Sequence, residues 1–256
     1  DQVRANRGQV ILLVGESGIG KTRLVHEVIR LAHALSITTL QGACSDLQSP
    51  PPYQGWSEVL RSGIPRLKRE EPLPVSPIWL SEITPLLPEI AKEFAHLPPR
   101  AASPADQEQG RLLQAITQFL RALARAGPTL VVLENLQWAD PATLEALRHL
   151  TPRMNDLPIL LLVTLRPEEL TESPNLFHAL LAWESTGLVE RLTLTRLSPN
   201  ETATLARRAL GLAIDDPSLT RFIFRETEGN PFFVEQVLKA LVEEGYLRQR
   251  ANGHWE

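Results

Sequence analysis

The segment from Gly15 to Thr22 (Gly-Glu-Ser-Gly-Ile-Gly-Lys-Thr) has the residue types and spacing of a phosphate-binding loop. Its glycines let the backbone curl so that successive N–H groups face one anion, and the helix that follows adds its positive N-terminal end. Lys21 has the reach to contact the β and γ phosphates, and the Thr22 hydroxyl is a ligand for Mg²⁺. The sequence therefore predicts a nucleotide site made by the loop and the residue after it: Gly15, Glu16, Ser17, Gly18, Ile19, Gly20, Lys21, Thr22 and Arg23.

Two charged residues follow later apolar runs and are candidates for the same chemistry. Glu134 comes directly after Leu-Val-Val-Leu at 130–133, and a carboxylate at the end of a neighbouring strand holds Mg²⁺ through its water shell in such ATPases. We therefore predict Thr22 and Glu134 as the metal ligands. Arg166 ends a further apolar run and is predicted to meet the γ-phosphate. The alternative for Glu134 is an ordinary exposed acid at a strand end. The alternative for Arg166 is a surface arginine without a role in binding.

The order of apolar segments predicts an α/β fold. Runs at 10–14, 37–44, 129–133, 159–165 and 188–194 have the character of strands, and the last alternates enough to lie at a sheet edge. Amphipathic segments lie between them, with apolar stripes at Leu24, Val28, Leu31, Ala32 and Leu35 and at Leu112, Ile116, Phe119, Leu120 and Leu123. This alternation predicts a P-loop NTPase fold, a three-layer α/β/α arrangement with a mainly parallel sheet and right-handed crossovers.

Composition changes suggest two domains. Residues 1–196 form the predicted nucleotide-binding domain, and about 65–104 hold nine of the 21 prolines, which indicates an irregular insertion with short helices. From 197 to 256 the pattern is purely helical and predicts a small lid subdomain. The polypeptide starts without Met and stops without a closing feature, so we expect a piece of a longer protein.

Charge and cysteine content narrow the classes of partner. The net charge is -4, and residues 196–250 carry eight basic and eight acidic side chains, so we expect no direct nucleic acid contact from this segment. No apolar run reaches the 18 or so residues of a membrane helix, so no membrane partner is expected. Cys44 is the single cysteine, which fits a cytoplasmic location.

The motifs together resemble the nucleotide-binding domain of STAND signalling ATPases, especially the branch in large LuxR-type transcription regulators and multidomain cyclases. The phosphate loop, 134–140, 165–168 and Gly-Asn-Pro-Phe-Phe at 229–233 match in family order. The resemblance implies ATP/ADP and Mg²⁺ as cofactors, and contacts with other domains of the same polypeptide. It also implies a switch, in which ADP holds a closed state and ATP with an inducer permits self-association. It places Pro231 against the adenine, although Pro231 also suits the first position of a helix.

One departure from the family bears on hydrolysis. Relatives carry two adjacent acids after the third strand, whereas this sequence has Glu134 and Asn135. Asn135 can orient a water molecule but cannot accept its proton, so hydrolysis is expected to be slow or absent unless another acid such as Asp140 substitutes. The predicted catalytic set is Lys21, Glu134, Asn135 and Arg166.

The residues leave three functions open. The leading one is an ATP-driven regulatory switch with weak ATPase activity, and the alternative is a nucleotide-binding module that does not hydrolyse ATP. A small-molecule kinase is the third, although the balanced charge of the helical region argues against it. Phe232, Phe233 and Tyr246 are predicted as core residues of the lid, Trp138 as packing behind the third strand, and the histidines as structural or surface residues.

Overall fold

The chain forms two compact units in its computed structural model, which describes residues 7–47, 50–70, 72–94, 96–100, 104–172, 174–210 and 217–247. The first, the sheet unit, comprises the chain up to Val14 together with Val25–Leu192. The second, the loop–helix unit, comprises Gly15–Leu24 together with the chain from Thr193 onward. The helix that begins at Lys21 therefore starts in one unit and continues into the other.

The centre of the sheet unit is a five-stranded parallel sheet, which confirms the predicted fold class. Its strands occur in the order β2-β3-β4-β1-β5, so β5 lies at an edge as predicted. The register pairs Val14 with Leu165 and Leu133 with Val163. The carboxyl ends of β1, β3 and β4 therefore meet at one edge. The strand bounds are β1 Gln9–Val14, β2 Thr38–Ala43, β3 Thr129–Glu134, β4 Ile159–Leu165 and β5 Val189–Thr193.

Helices carry the apolar side chains that cover this sheet. Their bounds are α1 Lys21–Ala34, α2 Gln54–Leu67, α3 Pro77–Ile83, α4 Ile90–Glu93, α5 Ala105–Arg125, α6 Pro141–Met154 and α7 Pro174–Glu184. The predicted stripe of α5 is correct, since Ile116, Phe119 and Leu123 are fully buried. Among the described residues no helix has the length and apolar character needed to cross a membrane.

The predicted apolar stripe of α1 was wrong by about one residue. The helix buries Val25, Ile29 and Ala32, whereas Leu31 and Leu35 are more than half exposed. The apolar residues of this helix cover more than one face, so periodicity alone allowed two orientations. Of the predicted stripe, only Ala32 is buried.

Helix α2 protects the exposed edge of β2, a role that the sequence did not predict. An edge strand presents N–H groups with no neighbouring strand to accept them. Here the N–H of Gln41 donates to Ser62 Oγ at 3.1 Å, and the N–H of Ala43 donates to Glu58 Oε2 at 2.9 Å. Two side chains of α2 thus replace the carbonyls of a missing strand.

The proline-rich stretch 65–104 begins inside α2, because that helix continues through Pro65 to Leu67. The stretch also contains α3 and α4, and Leu80, Ile83, Leu87 and Ile90 have no exposed surface. The buried carboxylate of Glu82 pairs with Arg100 at 3.3 Å and with Arg111 of α5 at 2.5 Å. The described part of this stretch therefore contributes buried side chains to the core of the sheet unit.

The loop–helix unit has a separate small core. Helices α8 Pro199–Leu210, α9 Pro217–Thr227 and α10 Pro231–Glu243 bury Ala206, Ile223, Val234, Leu238 and Leu247. The prediction that Phe232, Phe233 and Tyr246 belong to this core was wrong, since these rings are 50%, 52% and 71% exposed. A helix of this size buries only one stripe, and aliphatic side chains of α10 occupy it.

The edge protection of β2 yields a prediction about stability. Glu58→Ala removes the acceptor of a partly buried N–H, so the free energy of unfolding should fall by about 1–3 kcal/mol. Glu58→Gln retains a side-chain oxygen and should cost clearly less. Urea unfolding of both variants measures the difference, and equal losses would show that the hydrogen bond to Ala43 contributes nothing.

Candidate functional site

The phosphate-binding loop lies in the loop–helix unit, and Lys21 closes it. The lysine is almost fully buried, and its Nζ donates to the carbonyls of Gly15 at 2.6 Å and Glu16 at 2.8 Å. Gly18 and Gly20 have φ values of +78° and +105°, which side-chain-bearing residues rarely adopt. Around Gly20 no atom lies within 4 Å of where a Cβ would be, so the loop is open on that side.

The N-terminus of α10 holds the other carbonyls of the loop. Asn230 donates through Nδ2 to Ser17 O at 3.0 Å, and the N–H of Phe232 donates to Gly18 O at 3.2 Å. In a planar trans peptide the N–H points away from the preceding carbonyl. Engagement of the carbonyls of Gly15, Glu16 and Ser17 therefore turns the next N–H groups to the opposite side of the loop. This backbone arrangement suits an anion such as phosphate.

The remaining predicted ligands of the loop lie at the start of α1. Helix α1 begins at Lys21, so its positive N-terminal end faces the residues of the loop. Thr22 is exposed in the first turn of α1, and its role as a metal ligand stays a prediction. Arg23 is also exposed and pairs with Glu235 of α10 at 3.3 Å. Such an exposed pair contributes little to stability.

Pro231 occupies the first position of α10, and the buried Asn230 is the N-cap of that helix. Asn230 Oδ1 accepts from the N–H of Phe232 at 3.1 Å, while Nδ2 also donates to Glu16 Oε1 at 2.9 Å. Proline suits this position because its missing N–H would have no helical partner there. Pro231 therefore has the structural role that the sequence allowed, and its contact with adenine stays a prediction.

An ion pair joins the loop to the segment before α8. Arg196 contacts the Glu16 carboxylate through Nε at 2.8 Å and Nη2 at 3.0 Å, and it also pairs with Glu228. The hydrogen bond from Arg196 lowers the pKa of Glu16 below its ordinary value, and the Asn230 hydrogen bond and the Lys21 charge act in the same direction. Partial burial opposes this shift.

The other predicted residues lie in the sheet unit, where β3 ends. Glu134 is the last residue of β3 and is partly buried. Asn135 follows with φ +60° and ψ +47°, the left-handed region, and its N–H donates to Thr164 Oγ1 at 2.9 Å. Asparagine and aspartate tolerate this conformation better than other side-chain-bearing residues. The left-handed backbone therefore favours asparagine at 135 independently of the role in hydrolysis that the sequence predicts for this residue.

Asp140 does not have the environment of a general base. Its side chain caps α6, with Oδ1 accepting from the N–H groups of Thr143 at 2.9 Å and Tyr53 at 3.1 Å. Oδ2 accepts from the Thr143 hydroxyl at 2.6 Å. Three donors hold a carboxylate that is only 7% exposed. We therefore assign Asp140 to helix capping and withdraw it as a substitute for the missing second acid.

Arg166 is held by residues of the turn after β3. Its N–H donates to Gln137 Oε1 at 3.2 Å, and its guanidinium lies 5.2 Å from the ring centre of Trp138. Nη1 also pairs with Glu169 at 3.2 Å. Stacking on an indole and pairing with a carboxylate both restrict the guanidinium. The exits of β3 and β4 are thus joined at Arg166 by two residues that are neighbours in sequence.

Comparison with known families decides the class of the chain. Residues 1–163, more than half of the sequence, match the family described as AAA ATPase domain. The chain belongs to this family. Residues 198–253 match a second family, a domain of unknown function.

This AAA ATPase domain is also similar to individual proteins of known sequence or structure. An uncharacterized protein of Rhizobium meliloti is 25% identical over 255 residues, 93% of this chain. The chain spans only 23% of that relative's length. A STAND protein with a tetratricopeptide repeat sensor from Pyrococcus horikoshii superposes with a TM-score of 0.51 at 18% identity, over 96% of this chain and 31% of that one. The ORC1 protein of Aeropyrum pernix gives a TM-score of 0.46 at 15% identity, over 92% and 55% of the two chains.

The predicted site residues of the AAA ATPase domain fall into two groups. Residues 15–23 lie with Pro231 in the loop–helix unit, while Glu134, Asn135 and Arg166 lie together in the sheet unit. Sequence reasoning missed Arg196 and the side chain of Asn230 as partners of the loop. Asn230 stood within the matched motif and carried a signal, because asparagine before Pro is typical of an N-cap. Arg196 carried none, since it is one of many arginines.

The packing of Gly18 against α10 gives a prediction. A Cβ on Gly18 would lie 2.8 Å from Phe232 Cβ and 2.9 Å from Asn230 Oδ1. Gly18→Ala should therefore combine left-handed strain with overpacking and cost about 2–5 kcal/mol of unfolding free energy. Gly20→Ala has strain but no clash and should cost about 1–2 kcal/mol.

Gly110→Ala in α5 is the matched control, because it has neither positive φ nor a close neighbour. It should raise stability by about 0.5–1 kcal/mol. Denaturant unfolding of the three variants gives the order. A Gly18 variant that is no less stable than the Gly20 variant would contradict the packing described.

Proposed function

We propose that this AAA ATPase domain binds ATP and ADP with Mg²⁺ and acts as a slowly hydrolysing regulatory switch within a longer signalling or transcription-regulatory protein. The observation that carries the proposal is the phosphate-binding loop. Lys21 and Asn230 engage its carbonyls, and the positive end of α1 follows directly. Such a loop binds phosphate groups through backbone N–H groups and a lysine charge.

The residue types suit a nucleotide with its metal. Lys21 is assigned to the phosphate charge, and the exposed Thr22 hydroxyl and the Glu134 carboxylate are each an oxygen ligand of the kind that Mg²⁺ prefers. When bound, Mg²⁺ neutralises charge on the phosphate oxygens. Arg166 is assigned to the γ-phosphate, and its contacts with Trp138 and Glu169 are the interactions that the phosphate would replace or extend. Pro231 is assigned to the adenine.

The switch role is proposed from similarity to two longer proteins and from the expectation that hydrolysis is slow. The STAND protein of Pyrococcus horikoshii shares the fold, and the Rhizobium relative is several times longer than this chain. Asn135 stands where a second acid would activate water, and Asp140 is engaged in capping α6. Slow hydrolysis lets a bound nucleotide set a conformation for long enough to be read by neighbouring domains. ATP-dependent self-association is the output that we propose for such a state.

A second candidate is a module that binds ATP and never hydrolyses it. Asn135 is the observation that favours it, because an amide cannot accept a proton from water. The two candidates share the binding site and differ only in turnover. Their separation therefore requires a measurement of hydrolysis, and a measurement of binding cannot provide it.

Removal of the Lys21 charge tests the binding site itself. Lys21→Ala deletes a charged donor from the loop, so ATP affinity should fall by about 10- to 100-fold. Titration calorimetry with ATP and Mg²⁺ measures it. The control is Lys239→Ala, an exposed lysine of α10 that pairs weakly with Glu243 at 3.7 Å. Equal affinities of the Lys21 variant and the wild type would sink the assignment.

Restoration of the second acid tests hydrolysis. Asn135→Asp keeps a residue that tolerates the left-handed backbone, and the hydrogen bond to Thr164 comes from the main chain, so the fold should persist. A positioned general base contributes about 10²–10⁴-fold, so single-turnover hydrolysis should rise at least about tenfold over the wild type.

The background of this assay is Lys21→Ala, and the wild-type rate above that background separates the two candidates. Hydrolysis above background supports the slow switch, and bound ATP that stays intact supports the non-hydrolysing module. An unchanged rate in Asn135→Asp would show that the lack of an acid at 135 does not limit hydrolysis.

The variant Asn135→Ala should be less stable than the wild type by about 1–2 kcal/mol, because alanine tolerates the positive φ of this position less well than asparagine.

A further inference from the structure

The phosphate-binding loop contains a carboxylate whose charge is unfavourable for its own ligand. Glu16 is the second residue of the loop, and a phosphate chain bound there would meet a like charge. The pKa of Glu16 lies below its ordinary value, mainly because of Arg196, so the group is ionised at neutral pH. A neutral residue at this position would avoid the repulsion. The loop therefore needs a partner that cancels this charge.

Arg196 is placed to be that partner. Its Nε and Nη2 contact the two oxygens of Glu16 at 2.8 and 3.0 Å, the bidentate geometry that favours arginine over lysine. The next residue, Leu197, donates its N–H to Gly229 O at 2.9 Å, and Arg196 also pairs with Glu228. The position of the guanidinium is thus determined by the turn that leads into Asn230.

The same carboxylate is bound from a second direction by Asn230. Its Nδ2 donates to Glu16 Oε1 at 2.9 Å and to Ser17 O at 3.0 Å. The side chain of Asn230 is 2% exposed, so these bonds exclude water. A glutamine at position 16 would keep an oxygen for Asn230 and would lose the charge together with one of the two oxygens that Arg196 contacts. In the absence of Arg196 the two side chains differ mainly in charge, so that background isolates the electrostatic part of the contact.

We propose that Arg196 is a positioning residue of the nucleotide site, which neutralises Glu16 so that the loop can bind phosphate. The inference rests on the proposed function, because it assumes that the loop binds a nucleotide. Arg196 acts through Glu16 and does not touch the ligand. Its loss therefore harms binding by exposing the Glu16 charge, and removal of that charge should repair the damage.

A double-mutant cycle with ADP tests this mechanism. Arg196→Ala should lower ADP affinity about tenfold at low salt, since the uncompensated carboxylate repels phosphate. Glu16→Gln changes the loop itself, so its own ADP affinity is the reference for the double variant. Glu16→Gln/Arg196→Ala should bind ADP within about threefold of Glu16→Gln, so the loss of Arg196 should weaken binding about tenfold only where Glu16 keeps its charge. Titration calorimetry at 50 mM and 500 mM salt measures all four proteins.

Two further readouts distinguish charge from simple damage to the fold. The deficit of Arg196→Ala should shrink at high salt, because repulsion between partly exposed charges is screened. Adenosine has no phosphate, so its affinity should be the same in all four proteins. Arg225→Ala is the matched control, since Arg225 is an exposed arginine of the same unit that pairs with its neighbour Glu226. It should bind ADP as the wild type does.

Two results of these titrations would overturn the proposal, and another would overturn the proposed function. A double variant that binds ADP about tenfold more weakly than Glu16→Gln would mean that Arg196 contacts phosphate directly or only supports the fold, and it overturns the proposal. A loss of adenosine affinity equal to that of ADP overturns it as well. If Arg196→Ala does not fold, Arg196→Gln removes the charge with less loss of volume and should weaken ADP binding about tenfold, and normal ADP binding by that variant would overturn the proposal. Wild-type protein that binds ADP no better than Lys21→Ala would instead overturn the proposed function.

Discussion

The loop–helix unit depends on the hydrogen bonds of one buried amide, that of Asn230. A buried polar side chain must find partners for all its polar atoms, or the unit pays the desolvation cost of each orphan. Oδ1 of Asn230 caps α10, and the two hydrogens on Nδ2 go to Glu16 and to Ser17 O. The start of the helix and the conformation of the loop are therefore fixed by the same group. The same contact explains the glycine at position 18, because only a residue without a Cβ leaves room there for the start of α10.

Much of the fold was predictable because it depends on local patterns. Short apolar runs typical of strands buried on both faces predicted β1, β3 and β4, and β-rich or alternating segments predicted β2 and β5, each to within one residue. Features that depend on distant partners were not predictable. The hydrogen bonds from β2 to Glu58 and Ser62 have no periodicity, and the apolar residues of α1 allowed two buried faces. The exposed rings of Phe232 and Phe233 show that apolar character alone does not decide burial.

In the candidate site, too, local features were predictable from the sequence and contacts between distant residues were not. The loop was predictable because eight consecutive residues carry the whole pattern, and Asn230 stood within a recognisable motif. Arg196 lies 180 residues from Glu16, and no spacing rule connects an acid and an arginine at such separation. The capping role of Asp140 had a local signal, because an acid before Pro at the start of a helix is typical of an N-cap.

The residue at position 135 shows how far backbone constraints go in explaining chemistry. Its positive φ restricts the position to glycine, asparagine or aspartate at low cost. The restriction does not choose between asparagine and aspartate, which have nearly the same shape and tolerate the same conformation. The hydrogen bond to Thr164 comes from the main chain and does not choose either. The backbone therefore gives no reason for the amide. The two side chains differ in charge and in proton acceptance, so the amide at 135 is the feature on which the proposed slow hydrolysis depends.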